Sequence, residues 1–259
     1  MRTCELGRLT WKEAEEVYGE NPMILIPIGA MEPHGLQLPL GTDYIVAQYV
    51  AKEAAQKCKN VLVAPTIPYG YCDSVKKVPG AMNIYPDTMK ALLSDIIRNL
   101  HEHGTNKVIF VNNHRTNSLV IEWVARELRR ELGMEFATFF PWGVIQSFSP
   151  SMYEDFAKVF GHGAEPETSV MHATWPEDVR MDLAVADQYG TKWGCPAKGP
   201  STIEYQGIPI EVYLESSEIT STCTRGDPFA YDDARGKKMM DGVIDRLVKF
   251  INFFSEVGN

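Results

Sequence analysis

Cysteine is scarce in this 259-residue chain: there are five, Cys4, Cys58, Cys72, Cys195 and Cys223, an odd number with no C-x-x-C pair. That pattern excludes a disulfide scaffold and a thiolate zinc site. Basic residues are also short, 25 Lys and Arg against 34 Asp and Glu, for a net charge of −9. A nucleic-acid partner would need a basic face, so none is expected. No apolar run reaches the roughly 18 residues of a membrane span, which argues against a membrane partner. The opening stretch MRTCELGRLTWKEAEE turns charged almost at once and holds no apolar signal-peptide core. A reducing, cytoplasmic compartment is therefore expected. The phosphate loop G-x-x-x-x-G-K-[ST] and the dinucleotide fingerprint G-x-G-x-x-G are both missing. So are internal repeats and Gly/Ser-rich linkers, and residues 1–259 read as one domain.

What remains is an ordinary globular composition, 44% hydrophobic and 23% charged, sufficient for a full core. Thr10-Trp-Lys-Glu13 has capping-box spacing and predicts a short first helix. Met23 to Ile28 is an apolar run read as a buried strand. Helical periodicity follows over Tyr44 to Gln56, then a short strand over Val61 to Ala64. Thr88 to His101 is helical, Lys107 to Val111 a strand, Leu119 to Leu132 helical, and Glu135 to Phe140 a strand. Such alternation predicts an α/β fold, with a mostly parallel sheet covered by helices on both faces. From Pro141 to Glu218 the pattern is mixed, with a short strand expected over Ile208 to Tyr213. Asp227 to Val257 reads as one long helix capped by Asp227, with Pro228 at its first position.

Ligands of open α/β sheets sit at the carboxyl ends of the strands, and that rule selects three clusters. The first strand runs into Glu32, Pro33 and His34, then Asp43. Glu32 and His34 project the same way if the segment stays extended, and a nearby second carboxylate makes a divalent-metal site. The competing reading makes Asp43 a helix cap. The strand ending at Val111 runs into Asn112-Asn113-His114-Arg115-Thr116-Asn117, where His114 is either a ligand or a satisfier of local backbone groups. The third cluster, His162-Gly-Ala-Glu165-Pro-Glu167-Thr-Ser169, is either part of a site or a helix start with favourable acids.

Together these clusters resemble the creatininase family, the creatinine amidohydrolase-like metal hydrolases. The family's first block, P-x-G-x-x-E-x-H-G-x-x-L-P-L-x-T-D, is similar to the segment from Pro27 to Asp43. The second, N-G-H-G-G-N, is similar to Asn112 to Asn117, and the third, H-A-G-E-x-E-T-S, to His162 to Ser169. The resemblance implies a three-layer α/β fold and a homo-oligomer, often a hexamer. It also implies two divalent ions per subunit, zinc, manganese or iron. Glu32, Asp43 and His114 would hold one ion. His34, Asp43 and Glu165 would hold the other, with Asp43 bridging. Arg115 and Thr116 depart from the two glycines that usually follow the ligand histidine. Family members that open creatinine carry other residues there, so creatinine is not the expected substrate.

The expected chemistry is hydrolysis by water whose pKa is lowered by metal. Glu165 or Glu32 would take its proton and His162 would protonate the leaving group. Arg115, Ser74 and Trp142 are the candidates for contact with a small-molecule substrate. Amide C–N hydrolysis is the first expectation. Two rivals stand beside it: C–C hydrolysis of a cyclic diketone from polyol or inositol breakdown, and a non-catalytic binding or maturation protein on the same fold.

Overall fold

The computed structural model describes residues 2–257. The capping box forms as its spacing requires: Thr10 accepts from the Glu13 backbone, Glu13 accepts from Thr10, and α1 runs Trp11–Tyr18. There follow β1 (Met23–Ile28), α2 (Thr42–Ala55), β2 (Val61–Val63), α3 (Pro86–Glu102), β3 (Lys107–Asn112), α4 (Asn117–Leu132) and β4 (Glu135–Phe139). The four strands form one parallel sheet in the order β2-β1-β3-β4.

Alternation along β1 and β3 sorts side chains to two faces. Leu25, Ile109 and Val111 pack with α2 and the C-terminal helix. Ile24, Ile26, Val108 and Phe110 pack with α3 and α4. This is the three-layer α/β arrangement with helices on both sides, and it explains why all six residues of β1 are buried.

Beyond β4 come the short helices α5 (Pro141–Phe148), α6 (Phe156–Val159) and α7 (Glu167–Thr174). A second, antiparallel sheet follows: β5 (Thr191–Lys192), β6 (Cys195–Gly199), β7 (Thr202–Tyr205) and β8 (Ile208–Glu211). The turn between β6 and β7 brings Pro200 and Ser201 over the carboxyl end of the parallel sheet.

Two sequence-based expectations change. The strand expected over Ile208 to Tyr213 pairs only through Glu211. The C-terminal helix does not start at Asp227. Asp227 caps a single 3-10 turn over Pro228–Ala230, and Asp232 caps the long helix α8, Asp233–Glu256. Tyr231 is extended between them, which breaks the helical path that Asp227-Pro228 opens. No helix among the described residues is long and apolar enough to cross a membrane.

Candidate metal centre

The centre forms where β1, β3 and the starts of α2 and α7 converge. Gly29 ends β1, and a Cβ there would lie 2.3 Å from the backbone nitrogen of Tyr44. Glycine alone therefore lets the first turn of α2, with Asp43, settle onto the strand end. The chain beyond Gly29 is held by Glu32 N–H donating to the Leu40 carbonyl at 3.0 Å. At the end of β3, Asn117 donates to the Gly29 carbonyl at 2.9 Å, tying the His114 loop to the Glu32 loop. The loop from Gly161 to Glu167 nests onto the same place. Gly163 has φ +67°, and a Cβ there would lie 2.4 Å from the backbone nitrogen of Gly35.

Five side chains meet. Nδ1 of His114 is 3.0 Å from both Glu32 and Asp43. Nε2 of His34 is 3.3 Å from Asp43 and 3.8 Å from Glu32. Nε2 of His162 is 3.5 Å from Glu32, and its ring stacks on that of His34 with centroids 4.4 Å apart. Two groups have ligand atoms close enough for one ion each: Glu32, Asp43 and His114, and Glu32, His34 and His162. Both contain Glu32, and Asp43 stands between the two histidines, its Oδ1 3.3 Å from His34 and its Oδ2 3.0 Å from His114.

Each histidine has one ring nitrogen on a backbone carbonyl and turns the other to the cluster. Nδ1 of His34 pairs with the Glu32 carbonyl at 3.2 Å, Nδ1 of His162 with that of Cys223 at 3.1 Å, and Nε2 of His114 with that of Tyr71 at 3.0 Å. Outer partners of this kind orient metal-binding imidazoles. The Trp142 indole N–H donates to Asp43 Oδ1 at 3.0 Å. Asn113 supports the same pair, donating to the Asp43 carbonyl at 3.4 Å and accepting from the Trp142 backbone at 3.0 Å.

Burial disfavours charge on all of these groups, yet the pairs overcome it. The Asp43 charge and hydrogen bond, with Glu167 and Glu32 behind, outweigh burial and raise His34 to about 10. His114 is raised well above the usual imidazole range, because Glu32 and Asp43 outweigh its burial. For Glu32 and Asp43 burial is again outweighed, by the facing histidines, and both carboxyls are held below their ordinary range. A carboxylate-rich pocket that draws protons onto its imidazoles is one that favours a cation. Oxygen and imidazole donors without thiolate suit zinc or manganese, and the residues present fit such ions.

Glu165 does not join these five. It is fully buried, accepts from the Tyr153 hydroxyl at 2.6 Å and the Ser169 hydroxyl at 2.5 Å, and lies 3.6 Å from Arg235. The carboxylate that faces the cavity is Glu167, which also accepts from the Gly163 backbone at 2.7 Å. Burial pushes the Glu167 carboxyl up against the opposing pull of His34 and His162. The cluster forms the floor of a cavity of about 300 Å³ whose walls include Ser74, Arg115, Trp142 and Tyr189. Arg115 is the one Lys or Arg on that wall among the described residues, and no acceptor among them takes its guanidinium. An adjoining recess of about 200 Å³, with Asp73 and Glu215 on its wall, shares Glu32, Ser74 and His114 with this cavity. Asn113 and Tyr189 were not foreseen. Asn113 stood in the second motif, and no local signal marks Tyr189.

A family model described as creatinine amidohydrolase matches residues 7–251. The chain belongs to the creatininase family. As a creatininase-family protein it is a hydrolase. It is similar to a creatinine amidohydrolase of Pseudomonas putida, 30% identical over 198 residues that make up 70% of this chain and 75% of the relative. It is also similar to a mycofactocin precursor peptide peptidase of Mycolicibacterium smegmatis, 28% identical over 66% of each chain. A 3-dehydro-scyllo-inosose hydrolase of Thermotoga maritima matches at 29% over 41% of this chain and 34% of the relative. Among solved structures, a creatinine amidohydrolase superposes with a TM-score of 0.79 at 24% identity over 97% of both chains. Manganese and Zn-Zn forms of creatininase superpose at 0.77, each 24% identical over 96–97% of this chain and 98% of theirs. These likenesses carry the creatininase fold.

Proposed function

We propose that this chain is a metal-dependent amidohydrolase that cleaves a C–N bond in a small amide other than creatinine. The convergence of Glu32, His34, Asp43, His114, His162 and Glu167 on the floor of one cavity carries the reading. Glu32, Asp43 and His114 would hold one divalent ion. His34 and Asp43 would hold the other, with Glu167 in the place expected of Glu165. Zinc or manganese fits the donors. When bound, the pair supplies Lewis acidity for a carbonyl and lowers the pKa of a water molecule.

The protein's own groups do the rest. His162, its Nδ1 engaged by the Cys223 carbonyl, presents Nε2 to the cavity and protonates the leaving nitrogen. Trp142 keeps Asp43 in one orientation. Arg115 offers a planar fork of donors to a carbonyl or carboxylate on the substrate. Ser74, hydrogen-bonded to Ser216 at 3.3 Å, adds a hydroxyl.

C–C hydrolysis of a polyhydroxylated cyclic diketone is the second reading. It is favoured by the Thermotoga maritima relative and by the hydroxyls of Ser74, Ser201, Ser216 and Thr220 around the cavity. Elemental analysis tests the shared premise: about one to two zinc or manganese atoms per chain are expected, and both Glu32→Gln and His114→Ala should lose them. No metal in the wild type after reconstitution would end the hydrolase mechanism proposed here. Amine release from amides, measured against acid release from cyclic diketones, then separates the two reactions.

A further inference from the structure

We propose that Thr116 is a positioning residue that fixes which nitrogen His114 offers to metal. The inference rests on the metal-centre reading above. The Thr116 hydroxyl hydrogen-bonds to the Tyr71 carbonyl and stands 2.6 Å from Nε2 of His114. A carbonyl only accepts, so the single hydroxyl proton of Thr116 goes to Tyr71. The threonine oxygen is left with lone pairs toward the ring. Tyr71 itself meets Nε2 at 3.0 Å. Nε2 thus faces two acceptors and must carry a proton. In the neutral ring Nδ1 is then the lone-pair nitrogen, and Nδ1 is the one aimed at Glu32 and Asp43.

The arrangement is reversed in His34 and His162, which place Nδ1 on a carbonyl and leave Nε2 free. Each of those rings has one acceptor behind it; His114 has two. Thr116 is well held for the task. It flanks α4 at its N-terminal end, and the next residue, Asn117, accepts from the Tyr71 backbone at 2.9 Å. Asn117 therefore fixes the strand of loop that supplies the carbonyl, and Thr116 bridges that carbonyl to the ring. Valine has the same shape without the hydroxyl. It would leave Nε2 with Tyr71 alone and free the ring to tilt.

The test is zinc affinity, measured by chelator competition on full-length wild type, Thr116→Val and Thr116→Ser, with thermal melting of each. Thr116→Val should bind zinc about tenfold more weakly at a melting temperature close to wild type, and Thr116→Ser should stay within about twofold of wild type because it keeps the hydroxyl. If valine impairs folding, Thr116→Ala removes the same hydroxyl without bulk and is read the same way. Wild-type affinity in the hydroxyl-free variant, or equal loss in Thr116→Ser, would overturn the inference while leaving the metal centre intact. A wild-type protein that binds no zinc would overturn both, so the two failures are distinct.

Discussion

Glu165 and Glu167 are separated by one proline, yet their carboxylates serve different parts of the molecule. Glu165 is enclosed by Tyr153, Ser169 and Arg235, which lie where α7 meets α8. Glu167 opens α7 and faces the cavity. The pair links the metal centre to its mechanical support through three consecutive residues.

Glutamine at each position should therefore behave differently. Glu167→Gln is expected to lower metal content while the fold stays intact. Glu165→Gln should keep its metal and lose about 1–3 kcal/mol of stability, because an amide –NH2 would oppose donors that need an acceptor. Elemental analysis and urea denaturation of both variants decide this. Metal loss confined to Glu165→Gln would reverse the assignment.

His162→Ala should reduce kcat by roughly 10²–10⁴-fold, the usual worth of general acid–base help, with metal content unchanged. Its Nε2 also stands within ligand distance of Glu32 and His34. Complete loss of metal in this variant would make it a ligand instead.

Arg115→Ala is expected to raise KM by about 10-fold or more for the amide found by screening, the scale of losing a charged hydrogen bond. Arg115→Lys should recover only part of the loss, because an ammonium cannot reproduce the planar fork. Unchanged KM and kcat in Arg115→Ala would place the guanidinium outside substrate binding.

Alkaline stability should report on Cys72. Burial first, then the negative charges of Glu32, Asp43 and Asp73, push its thiol from 9.0 up to about 12. The unfolded thiol ionises above 9 while the folded one stays protonated, so the unfolded state gains stability as pH rises from 9 toward 12. The melting temperature of wild type should fall more steeply over that window than that of Cys72→Ala. Parallel slopes would show that Cys72 does not contribute.

Much of this architecture was legible from periodicity. The runs at Met23 and Lys107 are apolar because both sheet faces are covered, and the motif after each strand lands at the carboxyl edge where α/β sites form. Other features depend on contacts that no local pattern contains. Asp227 and Asp232 are both sound helix caps, and only the extended Tyr231 between them decides which one begins α8. Glu165 and Glu167 fit the same motif equally well, and the side each faces follows from how the Gly161–Glu167 loop nests on Gly35. Trp142 reads as a pocket aromatic, whereas its indole bond to Asp43 spans 99 residues of sequence. The short strands β5 to β8 are half exposed, so their periodicity is faint.

The nesting of Gly163 on the His34–Gly35 turn has a consequence for how the protein is made. Gln37 donates to the Gly163 carbonyl across 126 residues, and a Cβ at Gly163 would collide with the earlier loop. During synthesis Glu32, His34 and Asp43 leave the ribosome well before His114, and His114 before His162 and Glu167. Domains fold from the N-terminus as they emerge, but this centre closes only when its last segment arrives. Until then the growing chain carries a half-built cage of carboxylates and imidazoles. On the metal-centre reading proposed above, tight ion capture would begin only after translation has passed α7.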